Sequence, residues 1–399
     1  MYGPGVTCDG LRVIYYTNLT DMHILIAPNA FKNSLDAKAV AEAIEHGLRE
    51  SRLTCTCTNL PVGDGGDGTA SLLLQKAGAK IIPASVHDPL GRKIETSFGL
   101  IDDGRTAVIE MANASGLRLL NKNEYDPLRA TTYGTGELIK YALDHHVGKI
   151  ILGIGGSATV DGATGILQAL GIRFLDKNKQ PLATLPADLV ELEDIDDTMI
   201  DKRIFNVELV VLCDVDNLLL GENGAAAVFG PQKGATLEDV EKLNNALARF
   251  RDISVVKTGI DIAAIKYGGA AGGIAAGVFG FLRAKLMNGI EYFLDITAFD
   301  QALQKASLVI TGEGSIDLQT LQGKAPFGVA RRAKEKNIPV IAVAGRIPME
   351  ANNELSKYFD VLVPINNEPG GLEEAMRNTS ANLSRTAKMI GDLLSMLKS

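Results

Sequence analysis

The chain has 399 residues, enough for two globular domains that each bury a core of their own. Hydrophobic residues make up 46% and charged residues 22%, which is the composition of a folded protein rather than a disordered one. The formal net charge of −8 argues against a nucleic-acid partner, which needs a basic stripe, but it permits local binding of an anion.

The N-terminal segment, residues 1–21, lacks a basic stretch followed by a long apolar run, so it does not resemble a secretory signal. We expect an N-terminal extension there, of which disorder is one interpretation, and a folded chain that begins at Met22. No apolar run of about 18 residues predicts a membrane span. The four cysteines lack zinc-type spacing and are expected to be reduced thiols, which favours a cytoplasmic protein.

Short apolar runs alternate with helical segments along the rest of the chain, which predicts an α/β fold with a largely parallel sheet. The predicted strands cover residues 23–27, 108–111, 149–153, 209–213, 308–311, 340–344 and 361–365. The predicted helices cover residues 36–49, 136–144, 163–170, 237–251, 273–286 and 327–336.

Residues 81–100 differ from this pattern, because apolar and polar residues alternate there around a turn and predict antiparallel strands. The change indicates a second domain inserted into a doubly wound one. We expect the outer α/β domain to be formed by both chain ends, residues 22–78 and 296–399, and the inserted mixed α/β domain to cover 79–295. Such an arrangement creates a cleft between the domains.

Two glycine-rich loops carry acidic or hydroxyl side chains where ligands bind in α/β sheets. In residues 61–69, Asp64 and Asp67 lie in a loop that opens a helix, so they are candidates for Mg²⁺ or phosphate contacts, or simply helix caps. In residues 153–162, Ser157 and Asp161 suit a polyhydroxy substrate or a phosphate, and a strand-to-helix turn capped by Asp161 is the alternative. The same loop matches a loose dinucleotide fingerprint, with Asp176 about 20 residues further on.

Two further acidic groups follow apolar runs. Asp214 and Asp216 end a buried run, where carboxylates are costly unless they meet a cation or donors; an exposed turn is the alternative. Glu313 and Asp317 are four residues apart and would share one helical face if the turn continues as a helix, or else cap a helix start. Lys233 precedes a glycine and Lys324 follows one. Both are candidate phosphate anchors, and solvated loop lysines are the alternative. No P-loop, protein-kinase or hydrolase motif is present.

At these loops the sequence resembles the bacterial glycerate kinase family from Met22 nearly to the C-terminus. The matching blocks are HILIAPNAFKNSL, PVGDGGDGT, DPLGR, IEMANASGL, DPLRATTYGTGELI, GIGGSATVDG, CDVDN, NGAAAVFGPQKGA, GAAGG, TGEGSID and GKAP. The resemblance implies two α/β domains, one of them flavodoxin-like and built from both chain ends. It also implies ATP and Mg²⁺ as cofactors and D-glycerate as the substrate, with 2-phosphoglycerate as the typical product.

The resemblance also implies site residues, among which we divide the roles. Catalysis is assigned to Asp214, Asp317, Asp161 and Lys324. Binding of ATP or substrate is assigned to Lys32, Asp64, Gly65, Gly66, Asp67, Gly155, Gly156, Ser157, Lys233, Gly312 and Glu313. Mg²⁺ is assigned to Asp64, Asp214, Glu313 and Asp317. The sequence departs from the usual family pattern at three positions: Asn29 replaces a common Asp, Asp67 a common Glu, and Ser315 an Arg found in some relatives.

Two other classes of function stay open at this point. One is an NAD-dependent 2-hydroxy-acid dehydrogenase that uses the glycine loop at residues 153–158, although no histidine lies in the acidic loops to assist hydride transfer. The other is a sugar-acid sensor without catalysis, which would gain nothing from holding Mg²⁺. We expect a monomer or a homodimer.

Overall fold

The computed structural model describes residues 22–350, 353–366 and 370–396. The predicted N-terminal extension, residues 1–21, lies outside the described residues. The strands are β1 (Met22–Ile26), β2 (Cys55–Asn59), β3 (Lys80–His87), β4 (Lys93–Ile101), β5 (Thr106–Glu110), β6 (Lys149–Gly153), β7 (Arg173–Leu175), β8 (Asp194–Asp196), β9 (Glu208–Cys213), β10 (Lys285–Asn288), β11 (Leu308–Ser315), β12 (Val340–Arg346) and β13 (Val361–Pro364).

The described residues also form fourteen α-helices. They are α1 (Ala37–Arg49), α2 (Thr69–Ala77), α3 (Ala112–Ser115), α4 (Tyr133–Asp144), α5 (Thr164–Ala169), α6 (Ala225–Phe229), α7 (Leu237–Thr258), α8 (Ala270–Leu282), α9 (Gly289–Ile296), α10 (Phe299–Leu303), α11 (Ala325–Glu335), α12 (Asn353–Ser356), α13 (Leu372–Arg377) and α14 (Thr379–Met396). The predicted α/β fold class is confirmed.

The first sheet contains strands from both ends of the chain, in the order β13-β12-β11-β1-β2, and all neighbouring strands are parallel. Because side chains alternate along a strand, Ile24 and Ile26 pack into a core with α1 and α14. Leu25 belongs to a second core, on the other face, which contains side chains of α9 and α11. Helices therefore cover both faces of this sheet.

The second sheet has the order β10-β9-β6-β5-β4-β3 and is formed by the middle of the chain. Strands β3, β4 and β5 are antiparallel neighbours, whereas β5, β6, β9 and β10 run parallel. The antiparallel pair predicted within residues 81–100 is confirmed. The largest core packs one face of this sheet against α4, α5, α7 and α8.

The two sheets meet through a shared core, to which Leu25 of β1 and Val108 of β5 both contribute. Helix α2 packs against β5, so the loop that precedes it lies beside the second sheet. The loops that follow β1, β2, β6 and β9 line one cleft. The carboxyl ends of parallel strands in both sheets consequently face the same space, which is where α/β sheets bind ligands.

The helix predicted over residues 273–286 ends too late. Helix α8 stops at Leu282, and residues from Lys285 form β10, which pairs with the buried strand β9. The Gly- and Ala-rich segment carries no clear period, so only the tertiary pairing separates the helix from the strand. Among the described residues, no helix combines the length and the apolar character needed to cross a membrane.

Candidate active site

The cleft contains two adjoining cavities, of about 670 Å³ and about 750 Å³. Glycine-rich loops after β2 and β6 line the first, and the ends of β11 and β12 together with α13 line the second. The two cavities share the segment 30–34, Asp64, Asp214 and Val215 in their walls. The shared wall therefore carries two carboxylates and the ammonium group of Lys32.

Asp64 and Asp214 are the acidic pair in this shared wall. Asn29 Nδ2 donates a hydrogen bond to Asp64 Oδ2 at 3.0 Å, and the Gly66 amide donates to Asp64 Oδ1 at 3.1 Å. Burial, and then the charge of Asp64, raise the pKa of Asp214. Burial by itself lowers the pKa of Lys32, but Asp64, Asp214 and Glu313 outweigh it and raise that pKa. The lysine is thus held in its charged form among carboxylates.

The two glycine loops touch backbone to backbone. The Gly155 amide donates to the Gly65 carbonyl at 3.2 Å. A Cβ added at Gly155 would lie 2.2 Å from the backbone nitrogen of Asp67, so no larger residue fits without moving a loop. Gly65 has φ +95, a conformation that glycine adopts without strain. Both loops are predicted site loops, but no sequence pattern predicts that they contact each other.

Lys233 and Ser157 are two buried side chains in the wall of the first cavity. Lys233 is 2% exposed, and its Nζ donates to Ser157 Oγ at 2.6 Å and to the Thr159 carbonyl at 2.7 Å. Burial lowers the pKa of Lys233 to about 7, and the charge of Asp161 opposes that effect. Both side chains line the cavity, as does Gly156.

Glu313 and Lys324 belong to the second cavity. Burial raises the pKa of Glu313 to about 7, although Lys324 opposes the shift, and Thr320 Oγ1 donates to Glu313 Oε1 at 3.0 Å. Arg346, at the end of β12, lines the same cavity. Apolar side chains of Phe31, Ile365 and Met376 form another part of its wall.

Four of the predicted site residues are not brought to the cavity walls: Gly65, Asp161, Gly312 and Asp317. The Asp161 carboxylate accepts hydrogen bonds from the amides of Thr132, Ala163 and Gly165 and from Thr132 Oγ1. Asp317 accepts from the Gln319 amide and caps a short 3₁₀-helix, Leu318–Gln322. Gly312 lies within β11 against the Val343 carbonyl.

Of the two interpretations left open for Glu313 and Asp317, the shared helical face does not occur, and the capped helix start is confirmed for Asp317. Glu313 is part of β11, and Asp317 precedes a separate 3₁₀-helix. Strand pairing with β12 continues through Glu313 to Ser315, so β11 extends four residues beyond the predicted strand end at residue 311. Asp67 is at the site, but it faces the open side of the first cavity and pairs with Arg118 Nη1 at 3.1 Å.

Two groups near the site were missed by the sequence analysis. Arg118 pairs with Asp67, and Glu110, at the end of β5, accepts a hydrogen bond from the Ala70 amide at the start of α2. Burial, and then the charge of Asp67, raise the pKa of Glu110 to about 8. An acid at the end of an apolar strand, in the block IEMANASGL, was the available signal.

The dinucleotide interpretation of residues 153–158 finds no geometric support. Asp176 lies in an exposed turn after β7, where it accepts bonds from the Asn178 and Gln180 amides. It lines neither cavity of the cleft. Among the described residues, no group of three or more His, Cys, Asp or Glu side chains has the arrangement of a ready-made metal site.

Comparison with known proteins assigns the chain to a family. The model of the glycerate kinase family matches residues 24–395. The chain belongs to the glycerate kinase family. The glycerate kinase of Bacillus subtilis is 44% identical over 379 residues, which are 94% of this chain and 99% of that protein. The glycerate 2-kinase of Escherichia coli is 40% identical over 375 residues, which are 94% of this chain and 98% of that protein.

A solved structure supports the family assignment in three dimensions. A crystal structure from Salmonella typhimurium LT2, solved under the name glycerate kinase 2, superposes with a TM-score of 0.79 at 42% identity. The match covers 95% of this chain and 99% of that one. The resemblance identified from the sequence blocks is confirmed, and the chain is an enzyme of the glycerate kinase family.

Proposed function

We propose that this protein transfers the γ-phosphate of ATP to D-glycerate and releases 2-phosphoglycerate. One observation carries the proposal: Asp64, Asp214 and Lys32 lie in the wall shared by two cavities, in a chain of the glycerate kinase family. Phosphoryl transfer requires mainly positioning and charge neutralisation, and two substrates must meet at one point. Acidic and basic groups at the junction of two cavities meet that requirement.

The second cavity suits the nucleotide. Its apolar wall of Phe31, Ile365 and Met376 offers a surface for a purine ring, and Lys324 and Arg346 offer cations for phosphates. Lys32 lines both cavities, so it is placed to contact the phosphoryl group in transit between them. We assign ATP to this cavity on those grounds.

The chemistry of the donor set fits Mg²⁺. This ion uses one or two carboxylates and completes its coordination with phosphate oxygens and water, so a cluster of three protein ligands is not needed. Asp64, held in place by Asn29 and the Gly66 amide, and Glu313 would hold it. When bound, Mg²⁺ neutralises charge on the ATP phosphates.

The first cavity suits the acceptor, because its wall is more polar than that of the second cavity and the glycine loops border it. Asp214 lines both cavities and is the carboxylate that we assign as the general base for the attacking hydroxyl group of glycerate. The position of Asp214 at the carboxyl end of β9, and the charge of Lys32 beside it, support its role as the base. In this proposal Asp161, Asp317 and Gly312 do not contact the substrates. They hold the loops of the site in position.

We also propose a flavodoxin-like doubly wound outer domain, residues 22–78 and 296–399, with residues 79–295 inserted into it. The strand order of the first sheet and the helices on both its faces support this arrangement. All strands of the second sheet fall between Lys80 and Asn288. We propose that the enzyme works in the cytoplasm as a monomer or a homodimer.

Phosphorus NMR of the product made from ATP, Mg²⁺ and D-glycerate tests the reaction and its regiochemistry together. The proposal expects a new phosphate-ester resonance coupled to the single proton on carbon 2. A resonance coupled to two protons would instead indicate 3-phosphoglycerate, and no ester at all would overturn the kinase assignment. NADH fluorescence in the presence of the protein serves as the control for the dehydrogenase alternative.

A further inference from the structure

Lys233 is a buried lysine whose contacts among the described residues are all neutral. Its ammonium group donates to a hydroxyl group and to a backbone carbonyl, and the nearest acidic influence is Asp161, which acts through space. The Asp161 carboxylate itself accepts four hydrogen bonds, two from Thr132 and two from the amides of Ala163 and Gly165. A buried charge without an ion-pair partner is costly, so this site favours an anion that is brought in from outside.

The backbone around Lys233 fixes the direction of this side chain. Lys233 ends a 3₁₀-helix, Pro231–Lys233, and the next residue, Gly234, has φ +97. A Cβ at Gly234 would lie 2.7 Å from the Tyr125 carbonyl, so the turn is held closely against its neighbour. The lysine side chain enters the wall of the first cavity, beside Gly156 and Ser157.

Two donors remain available to a ligand at this point. An ammonium group has three N–H bonds, and the structure shows two of them in use. Ser157 Oγ accepts from Lys233, which leaves its own O–H free to donate. An ammonium and a hydroxyl group side by side match the two oxygens of one carboxylate.

We propose that Lys233 and Ser157 form the subsite that receives the carboxylate of the acceptor substrate. This inference rests on the proposed function, and it names which part of glycerate goes where. Lys233 lines only the first cavity, whereas Lys32 lines both and Lys324 only the second. The nucleotide phosphates therefore have their own cations, and Lys233 discriminates in favour of hydroxy acids over uncharged polyols.

Substrate binding at this subsite is coupled to the uptake of a proton by Lys233. Burial lowers the pKa of Lys233 to about 7, Asp161 is the acidic group that faces it, and Asp64, Asp67 and Asp214 lie further along the same cavity. A bound carboxylate favours the ammonium form and raises this pKa. Above pH 7, glycerate binding should take up about one proton, and the affinity should fall about tenfold per pH unit.

Isothermal titration calorimetry with D-glycerate, in buffers of different ionisation enthalpy at pH 8, tests the proposal. Lys233→Met should weaken binding on the order of a hundredfold, because a buried charge-assisted contact is lost. Lys233→Arg should retain part of the affinity without proton uptake, since arginine stays charged. Lys76→Met is the control: the Lys76 ammonium group also donates to a backbone carbonyl, that of Thr297, but Lys76 is exposed and lines neither cavity of the cleft.

A non-hydrolysable ATP analogue, titrated into each variant, reports whether the fold and the nucleotide site persist. If Lys233→Met binds glycerate like the wild type, or if wild-type binding takes up no proton at pH 8, the subsite assignment is overturned. Loss of analogue affinity in Lys233→Met and Lys233→Arg alike, with glycerate affinity retained, would show that Lys233 serves phosphate instead. Failure of wild-type protein to phosphorylate glycerate would contradict the proposed function itself.

Discussion

Asp64 and Asp214 follow strands of different sheets, yet both carboxylates lie beside the same residue, Gly66. A Cβ added at Gly66 would lie 2.9 Å from Asp64 Oδ1 and 3.5 Å from Asp214 Oδ2. Two carboxylates that close together repel each other, and the charge of Asp64 raises the pKa of Asp214 accordingly. Such a pair is stabilised by cations, and Lys32 already provides one.

We predict that Asp214→Asn lowers turnover by at least a hundredfold, because an amide cannot accept the proton of the attacking hydroxyl group. A coupled assay for ADP release measures kcat. Asp216→Asn, at the exposed position two residues later, is the matched control and should keep kcat within about twofold.

Asp317→Asn provides a second comparison, because Asp317 caps a 3₁₀-helix and lines neither cavity. It should change the free energy of unfolding by less than about 0.5 kcal/mol, because asparagine caps a helix about as well as aspartate, and it should leave kcat nearly unchanged. Near-normal turnover in Asp214→Asn, or a collapse of turnover in Asp317→Asn, would contradict this division of roles.

The contact between the two glycine loops leads to a second prediction. Gly155→Ala should lower kcat/KM by at least tenfold, because its Cβ would overlap the backbone of Gly66 and Asp67 and displace the loop that carries Asp64. Gly148→Ala is the control: its Cβ would have the Arg105 carbonyl at 4.0 Å as its neighbour. Equal kinetics in the two variants would show that the loops tolerate separation.

The third prediction concerns Asp161 and distinguishes a role in positioning the loops from a catalytic role. Asp161→Asn puts an NH₂ group where backbone and hydroxyl donors now point, so the free energy of unfolding should fall by about 3 kcal/mol. Urea denaturation measures this change. An unchanged unfolding free energy together with lost turnover would return Asp161 to a catalytic role.

Much of the fold was predictable because buried strands and amphipathic helices have distinct periods. The strand-end position of Asp64, Ser157, Asp214 and Glu313 followed from the same patterns, and the cavities contain all four. The sequence does not reveal which carboxylates turn inward. Asp161 and Asp317 have the same local sequence pattern as Asp214. Hydrogen bonds to nearby amides, which depend on the tertiary turn, direct their carboxylates away from the cavities.

The role of Glu110 depends on packing in the same way. Its partner, the Ala70 amide, is 40 residues away in sequence, and the contact of α2 with β5 belongs to the tertiary structure. No local sequence pattern predicts such a contact. The same holds for the position of Gly153 beside the Glu110 carboxyl group, where a Cβ would lie 3.2 Å from Oε1.

The final prediction concerns how stability depends on pH through Glu110. In the folded protein, burial and Asp67 raise the pKa of this carboxyl group from 4.5 to about 8. Between these values the folded state retains a proton that the unfolded state releases, so the stability contributed by this group falls as the pH rises. Glu110→Gln removes the titration and keeps an oxygen for the Ala70 amide.

We therefore expect the unfolding free energy of Glu110→Gln, relative to wild type, to be higher at pH 8 than at pH 5 by about 1–3 kcal/mol. Urea denaturation at both pH values measures the difference. Glu95→Gln, on an exposed position of β4, should show none. If both variants follow the wild-type pH dependence in parallel, Glu110 is ionised in the folded protein. It would then hold the start of α2 as a charged cap, because an anion at a helix N-terminus is stabilised by the free amides there.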